Sequence, residues 1–166
     1  MILDGRDGQA VEQAARHLAA DELVAFPTET VYGLGARADH DVAVARIFAA
    51  KGRPTEHPLI VHLAQPDDAL AFTPAPPELA RRLMDAFWPG PMTLIVARRV
   101  GIAAAAAGSQ STIGLRCPAH PVALALLSAC NRLGVPGLAG PSANLFGRLS
   151  PTRAAHVEAE FGPDLM

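Results

Sequence analysis

The residues capable of chemistry gather in a few short polar stretches of an otherwise apolar chain. They are Thr28 to Tyr32, Lys51 to His57, Ser109 to Thr112 and Ser142 to Asn144, with Arg116 at the end of an apolar run. Together they offer hydroxyls, an amide, two or three cations and an imidazole, but few carboxylates. Such a set suits an anionic ligand better than a metal cage or acid hydrolysis. No Ser-His-Asp constellation can be assigned. Of fourteen basic residues, thirteen are Arg and one, Lys51, is Lys. Either chance or the need for a compact point charge, where a planar fork would not fit, put the one ammonium in Lys51-Gly52-Arg53-Pro54.

Each of these residues also has a plain structural account. Lys51 and Arg53 at a helix end complement the C-terminal dipole, worth about 0.3–1 kcal/mol. His62 in an apolar strand reads as a hydrogen-bonded core histidine, and Ser142 and Asn144 as a turn after Pro141. Arg116 is harder to dismiss, because a buried guanidinium needs an anionic or carbonyl partner.

The elements that must position them alternate. Helices are predicted over Val11 to Leu23, Val42 to Ala50 (capped by Asp39 or Asp41), Pro66 to Phe72, Pro76 to Phe87, His120 to Leu133 and Thr152 to Phe161. Strands are predicted over Leu23 to Phe26, Pro58 to Leu63, Thr93 to Ala97, Ser111 to Arg116 and Gly137 to Ala139. Thr28 to Gly35 reads as a loop, and the Ala-rich segment up to Gly108 as a loop or short helix. The class is α/β: a twisted open mixed sheet flanked by helices. No linker or repeat divides the chain, so residues 1–166 are expected to form one domain.

Composition narrows the function. The net charge of -2 gives no basic field for duplex nucleic acid, and direct tRNA binding is not indicated by charge. No purely apolar run exceeds six residues, so a membrane span is not expected. No apolar leader follows Met1, and Cys117 and Cys130 read as reduced thiols, so a cytoplasmic setting is expected. Gly33-Leu34-Gly35-Ala36-Arg37-Ala38 has a G-x-G-x-x-A shape with Glu56 downstream. However, Gly33 lies seven positions after Phe26 and Glu56 falls in a polar loop, so a dinucleotide site is not expected. His57 and His62 do not recur with other ligands at metal spacing.

Seven segments in order carry a resemblance: Phe26 to Gly35, Lys51 to Pro54, Pro58 to His62, Trp88 to Thr93, Leu115 to Pro118, Pro141 to Leu145 and Ser150 to Thr152. From about residue 10 to residue 160 the chain resembles the YrdC family, the L-threonylcarbamoyladenylate synthases. The resemblance implies a YrdC-like fold with a concave basic cavity. It also implies an activity: L-threonine, bicarbonate and ATP give threonylcarbamoyl-AMP and pyrophosphate, the first step of tRNA N6-threonylcarbamoyladenosine modification. The product would pass to a tRNA threonylcarbamoyl-transfer complex. Mg²⁺ would be held through the ATP phosphates, with no protein metal site.

The same resemblance implies roles. Lys51 and Arg53 are the expected catalytic phosphate contacts. His57, Thr112, Ser142, Asn144 and Ser150 complete the expected ATP site. Thr28, Thr30, Tyr32, His62, Arg116 and the backbone at Gly140 form the expected threonine site, with Arg116 clamping the carboxylate. Family members usually continue past the last helix with a glycine-rich strand-loop segment, and the longer ones with a separate domain. This chain looks short at its C-terminus. The alternative is an RNA-binding or carbamoyl-adenylate-handling YrdC-like module without full synthase activity.

Overall fold

The computed structural model describes residues 1–163 and 165–166. In chain order the elements are α1 (Gly8–Ala19), β1 (Val24–Pro27), β2 (Tyr32–Arg37), α2 (Asp41–Lys51), β3 (Ile60–His62), a 3₁₀ helix (Pro66–Ala71), α3 (Glu78–Phe87), β4 (Leu94–Ala97), β5 (Thr112–Arg116), α4 (Pro121–Arg132), β6 (Leu138–Ala139) and α5 (Ala154–Phe161). The strands form one six-stranded sheet in the order β1-β2-β6-β3-β5-β4. Only β3 and β5 pair in parallel; every other pair is antiparallel, so the sheet is mixed, as expected. Among the described residues no helix is long and apolar enough to cross a membrane.

Strand alternation divides the core. Val61 and Leu115 pack with Leu34, Ile47 and Phe72 in one cluster. Leu18, Phe26, Leu127 and Leu138 form a second, where α1 meets α4. His62 and Arg116 are register partners on β3 and β5, and His62 lies opposite Leu138. They therefore turn away from the Val61 cluster, toward the face that carries Leu138.

Several expectations need correction. Tyr32 to Arg37 is a strand, not part of a loop. Gly33 and Gly35 lower strand propensity, yet they leave room for the ring of Phe26, which pairs with Gly33 across β1 and β2. A Cβ on Gly35 would stand 2.8 Å from Phe26 Cε1. The first helix begins at Gly8, because the Asp7 carboxylate accepts from Gln9 N at 2.9 Å and caps it there. Neither Asp39 nor Asp41 caps α2. His40 holds that position without a side-chain bond, Asp39 pairs with Arg37 at 2.8 Å, and Asp41 accepts from Ala105 N at 3.0 Å. Of the two readings of the Ala-rich segment, loop or short helix, the loop holds: the segment is a series of turns. As expected, α2 closes at Gly52 in the left-handed conformation, φ 60°.

Candidate functional site

Arg116 ends β5 and is 7% exposed. Its Nε donates to Gly90 O at 3.3 Å, and its Nη2 donates to Glu29 Oε1 at 2.6 Å and to Thr30 Oγ1 at 3.3 Å. A Cβ on Gly90 would lie 2.4 Å from Phe87 O, so only glycine brings this carbonyl to the guanidinium. Burial raises the Glu29 carboxyl's pKa, but the Arg116 hydrogen bond and local backbone donors outweigh it and leave it below its usual value.

His62 ends β3, buried beside Arg116. Its Nε2 donates to Gly140 O at 3.1 Å, since a carbonyl can only accept. Nδ1 therefore carries the free lone pair, and it is buried without a partner. Burial pushes the imidazole pKa down to about 4, so the ring is neutral near pH 7. The Phe26 ring stands edge-on to it, centroids 5.6 Å apart. At Gly140 a Cβ would come 2.8 Å from His62 Cδ2 and 3.2 Å from Phe26 Cζ. Gly140→Ala is expected to cost about 1–3 kcal/mol and displace the imidazole. Thermal unfolding and a binding titration with L-threonine would measure both.

The cationic end lies where α2 stops. Lys51 is 2% exposed, and its Nζ donates to Ser142 O at 2.6 Å and to Asn144 O. An ammonium has three donors, so one remains for a ligand. Phe146 N donates back to Lys51 O at 2.8 Å, which ties the Ser142–Phe146 segment to the helix end. Burial first, then repulsion from Arg53, pushes the Lys51 pKa down to about 8, against a pull from Glu160. Arg53 donates to Pro58 O at 3.3 Å, but its Nε is buried with no acceptor. Asn144 donates to Leu145 O and Arg148 O, while its Oδ1 is also buried and unpaired. Two repelling cations and the unpaired Arg53 Nε donor favour an incoming anion, whereas Asn144 Oδ1 can take only a donor.

The backbone links the two ends. Gly140 N donates to Ile60 O at 2.9 Å, Leu34 N donates to Pro141 O at 2.8 Å, and Gly33 bridges to Ser142. Thr112 and Arg116 share a face of β5, about 13 Å apart at strand rise, with the side-chain-free Gly114 between them. His57 packs its ring on Phe146 at 5.6 Å. Tyr32 N donates to Pro151 O at 2.9 Å, which brings exposed Ser150 to the start of β2. Thr28 is consumed locally: its hydroxyl donates to Val31 O at 2.7 Å and accepts from Thr30 N and Val31 N at 3.2 Å. It shapes the loop rather than offering a free donor. Sequence reasoning missed Glu29 and Gly90, although both lay inside quoted motifs. The unmatched charge on Arg116 was the signal that could have found Glu29. Among the described residues no group of three or more His, Cys, Asp or Glu is arranged for a metal.

The fold and this face define a class: an open mixed α/β domain with a buried guanidinium, paired to Glu29, at the end of β5 and a buried ammonium where α2 meets the segment leaving β6. The Sua5/YciO/YrdC family model, described as "Telomere recombination", matches residues 16–166, and the chain belongs to that family. The threonylcarbamoyl-AMP synthase of Bacillus subtilis is 47% identical over 148 residues, 89% of this chain and 42% of that protein. The threonylcarbamoyl-AMP synthase of Pyrococcus abyssi is 45% identical over the same length, again 42% of that protein. The crystal structure of P. abyssi Sua5 complexed with L-threonine matches with a TM-score of 0.90 and 41% identity, covering 96% of this chain and 46% of that one. The chain thus spans less than half the length of these relatives.

Proposed function

We propose that this chain joins L-threonine, bicarbonate and ATP into L-threonylcarbamoyl-AMP and pyrophosphate. The observation that carries the reading is the shared face. Arg116, Thr30, His62 and Gly140 lie close together on it, and the segment leaving β6 at Gly140 runs on to Ser142 and the Lys51 ammonium.

Threonine's amine and bicarbonate condense to a carbamate with loss of water. A carbamate oxygen attacks the α-phosphorus of ATP, and the bond from that phosphorus to the bridging oxygen of pyrophosphate breaks. The nucleophile is already an anion, so the residues hold two anions together and neutralise the leaving charge. Arg116 and Thr30 hold the threonine carboxylate. The His62 Nδ1 lone pair accepts from threonine's hydroxyl. The third Lys51 N–H and the Arg53 guanidinium meet phosphate oxygens. Thr112, Ser142, Asn144, Ser150 and His57 line the nucleotide path, while Thr28 and Tyr32 shape the threonine loop. Mg²⁺ enters with ATP as part of the substrate, held by phosphates and water. The product passes to a tRNA threonylcarbamoyl-transfer complex in the cytoplasm.

The test is pyrophosphate release by the 166-residue chain, with threonine or bicarbonate omitted in turn. Release that requires both is expected. RNA affinity without ATP turnover would replace the synthase reading with the binding-module alternative. A pH effect also follows from Lys51. Above about pH 8 the free protein loses the ammonium, so the ATP requirement should rise there while the threonine requirement does not. Stability should move oppositely: between about 8 and the usual 10.5, the unfolded chain holds a proton the native one lacks, so stability rises with pH. Initial rates and unfolding midpoints across this range check the two signs.

A further inference from the structure

Arg116 is the expected carboxylate clamp, yet in this structure a carboxylate of the protein itself already sits on it. Glu29 Oε1 lies 2.6 Å from Nη2, the closest contact the guanidinium makes. The two partners differ in freedom. Arg116 is buried in the sheet and held from behind by Gly90 O, whereas Glu29 belongs to the exposed turn between β1 and β2. The turn is closed by Thr28 through Val31; Arg116 is the one side chain that Glu29 bonds among the described residues, with the backbone of Glu29 and Ala119 as its other donors. Its carboxylate can rotate into water without disturbing a strand. The guanidinium cannot follow.

We infer that Glu29 is an internal stand-in for the substrate carboxylate: it occupies Arg116 until an amino acid that also satisfies the neighbouring buried groups displaces it. This rests on the threonine reading above. Leaving a buried guanidinium unpaired is costly, so the empty site must carry some anion. An internal carboxylate fills that need and makes every competitor displace it. A simple carboxylate gains on Arg116 only what Glu29 loses. An amino acid with a hydroxyl gains more, because the His62 Nδ1 lone pair is buried, unpaired and next to the same guanidinium across β3 and β5. Part of the binding free energy opens the Glu29 pair, so the apparent affinity equals the intrinsic one multiplied by the open fraction. The opening cost is the same for every ligand, so it leaves the ratio of affinities unchanged and sets a threshold instead: only a ligand that also gains at His62 binds measurably against it.

Calorimetric titration of the whole chain and of its E29Q and E29A variants with L-threonine, and separately with acetate, tests this without turnover. E29Q keeps the shape but loses the charge, and should bind threonine about tenfold more tightly. E29A should tighten threonine and acetate by the same factor, so that acetate binds measurably where the unaltered chain shows none. Thermal unfolding of both variants must show that they remain folded. Threonine affinity that is unchanged or weaker in both folded variants overturns the inference and makes Glu29 a support for Arg116. An unaltered chain that takes no threonine overturns the threonine reading alone. The stand-in role is then decided by acetate: tighter binding to E29A sustains it, and none removes it.

Discussion

Lys51→Ala is expected to abolish measurable pyrophosphate release, a loss of about 10²–10³ or more from removal of one preorganised charge at the leaving group. Lys51 is the only lysine, and its ammonium is held between the carbonyls of Ser142 and Asn144 with one donor to spare. Truncation also leaves those carbonyls without their donor, at a cost of about 1–3 kcal/mol, so unfolding should be measured beside activity. Lys51→Arg separates charge from shape. A planar fork cannot place two donors on these carbonyls and a third on a phosphate as a tetrahedral ammonium does, so Arg should rescue little. Release near the unaltered rate in a folded Lys51→Ala protein would remove Lys51 from the phosphate site.

Arg116→Ala should raise the threonine requirement by about 10²-fold while the ATP requirement stays within a few-fold. The asymmetry follows from position: Arg116 ends β5, whereas Lys51 and Arg53 lie at the end of α2 and in the loop beyond. The fold should tolerate the change better than most buried-charge deletions. The partner left behind, Glu29, lies on an exposed turn and can hydrate, so no charge is stranded in the core. Separate initial-rate titrations in threonine and in ATP decide the matter. Equal increases in both would argue against a carboxylate clamp.

How much of this was legible in the sequence differs residue by residue. Gly52 as the end of α2, the strands around Ile60, Leu94 and Ile113, and the helix before Leu133 follow from local rules of period and punctuation. The strand from Tyr32 to Arg37 did not, because its glycines are unfavourable by propensity and make sense only with Phe26 lying across them. The start of α1 and the cap of α2 were misjudged for a related reason. Asp7, Asp39 and Asp41 are equivalent as residue types, and only their neighbours decide that the first caps a helix, the second binds Arg37 and the third binds Ala105 N.

By itself the sequence determined which chemistry is on hand: one ammonium, an arginine within an apolar strand, a histidine within another, and hydroxyls after Pro141. It also determined a mixed α/β order capable of carrying them. Tertiary structure alone decided which of these meet. His62 and Arg116 are 54 positions apart in the chain and become register neighbours only because β3 and β5 pair in parallel. Lys51 reaches Ser142 because α2 ends beside the segment leaving β6, and Glu29 reaches Arg116 because the turn after β1 lies over the end of β5. The reason is physical. Residue types and periodicities act over a few positions, whereas a charge chooses its partner by distance in space, and the folded backbone sets that distance.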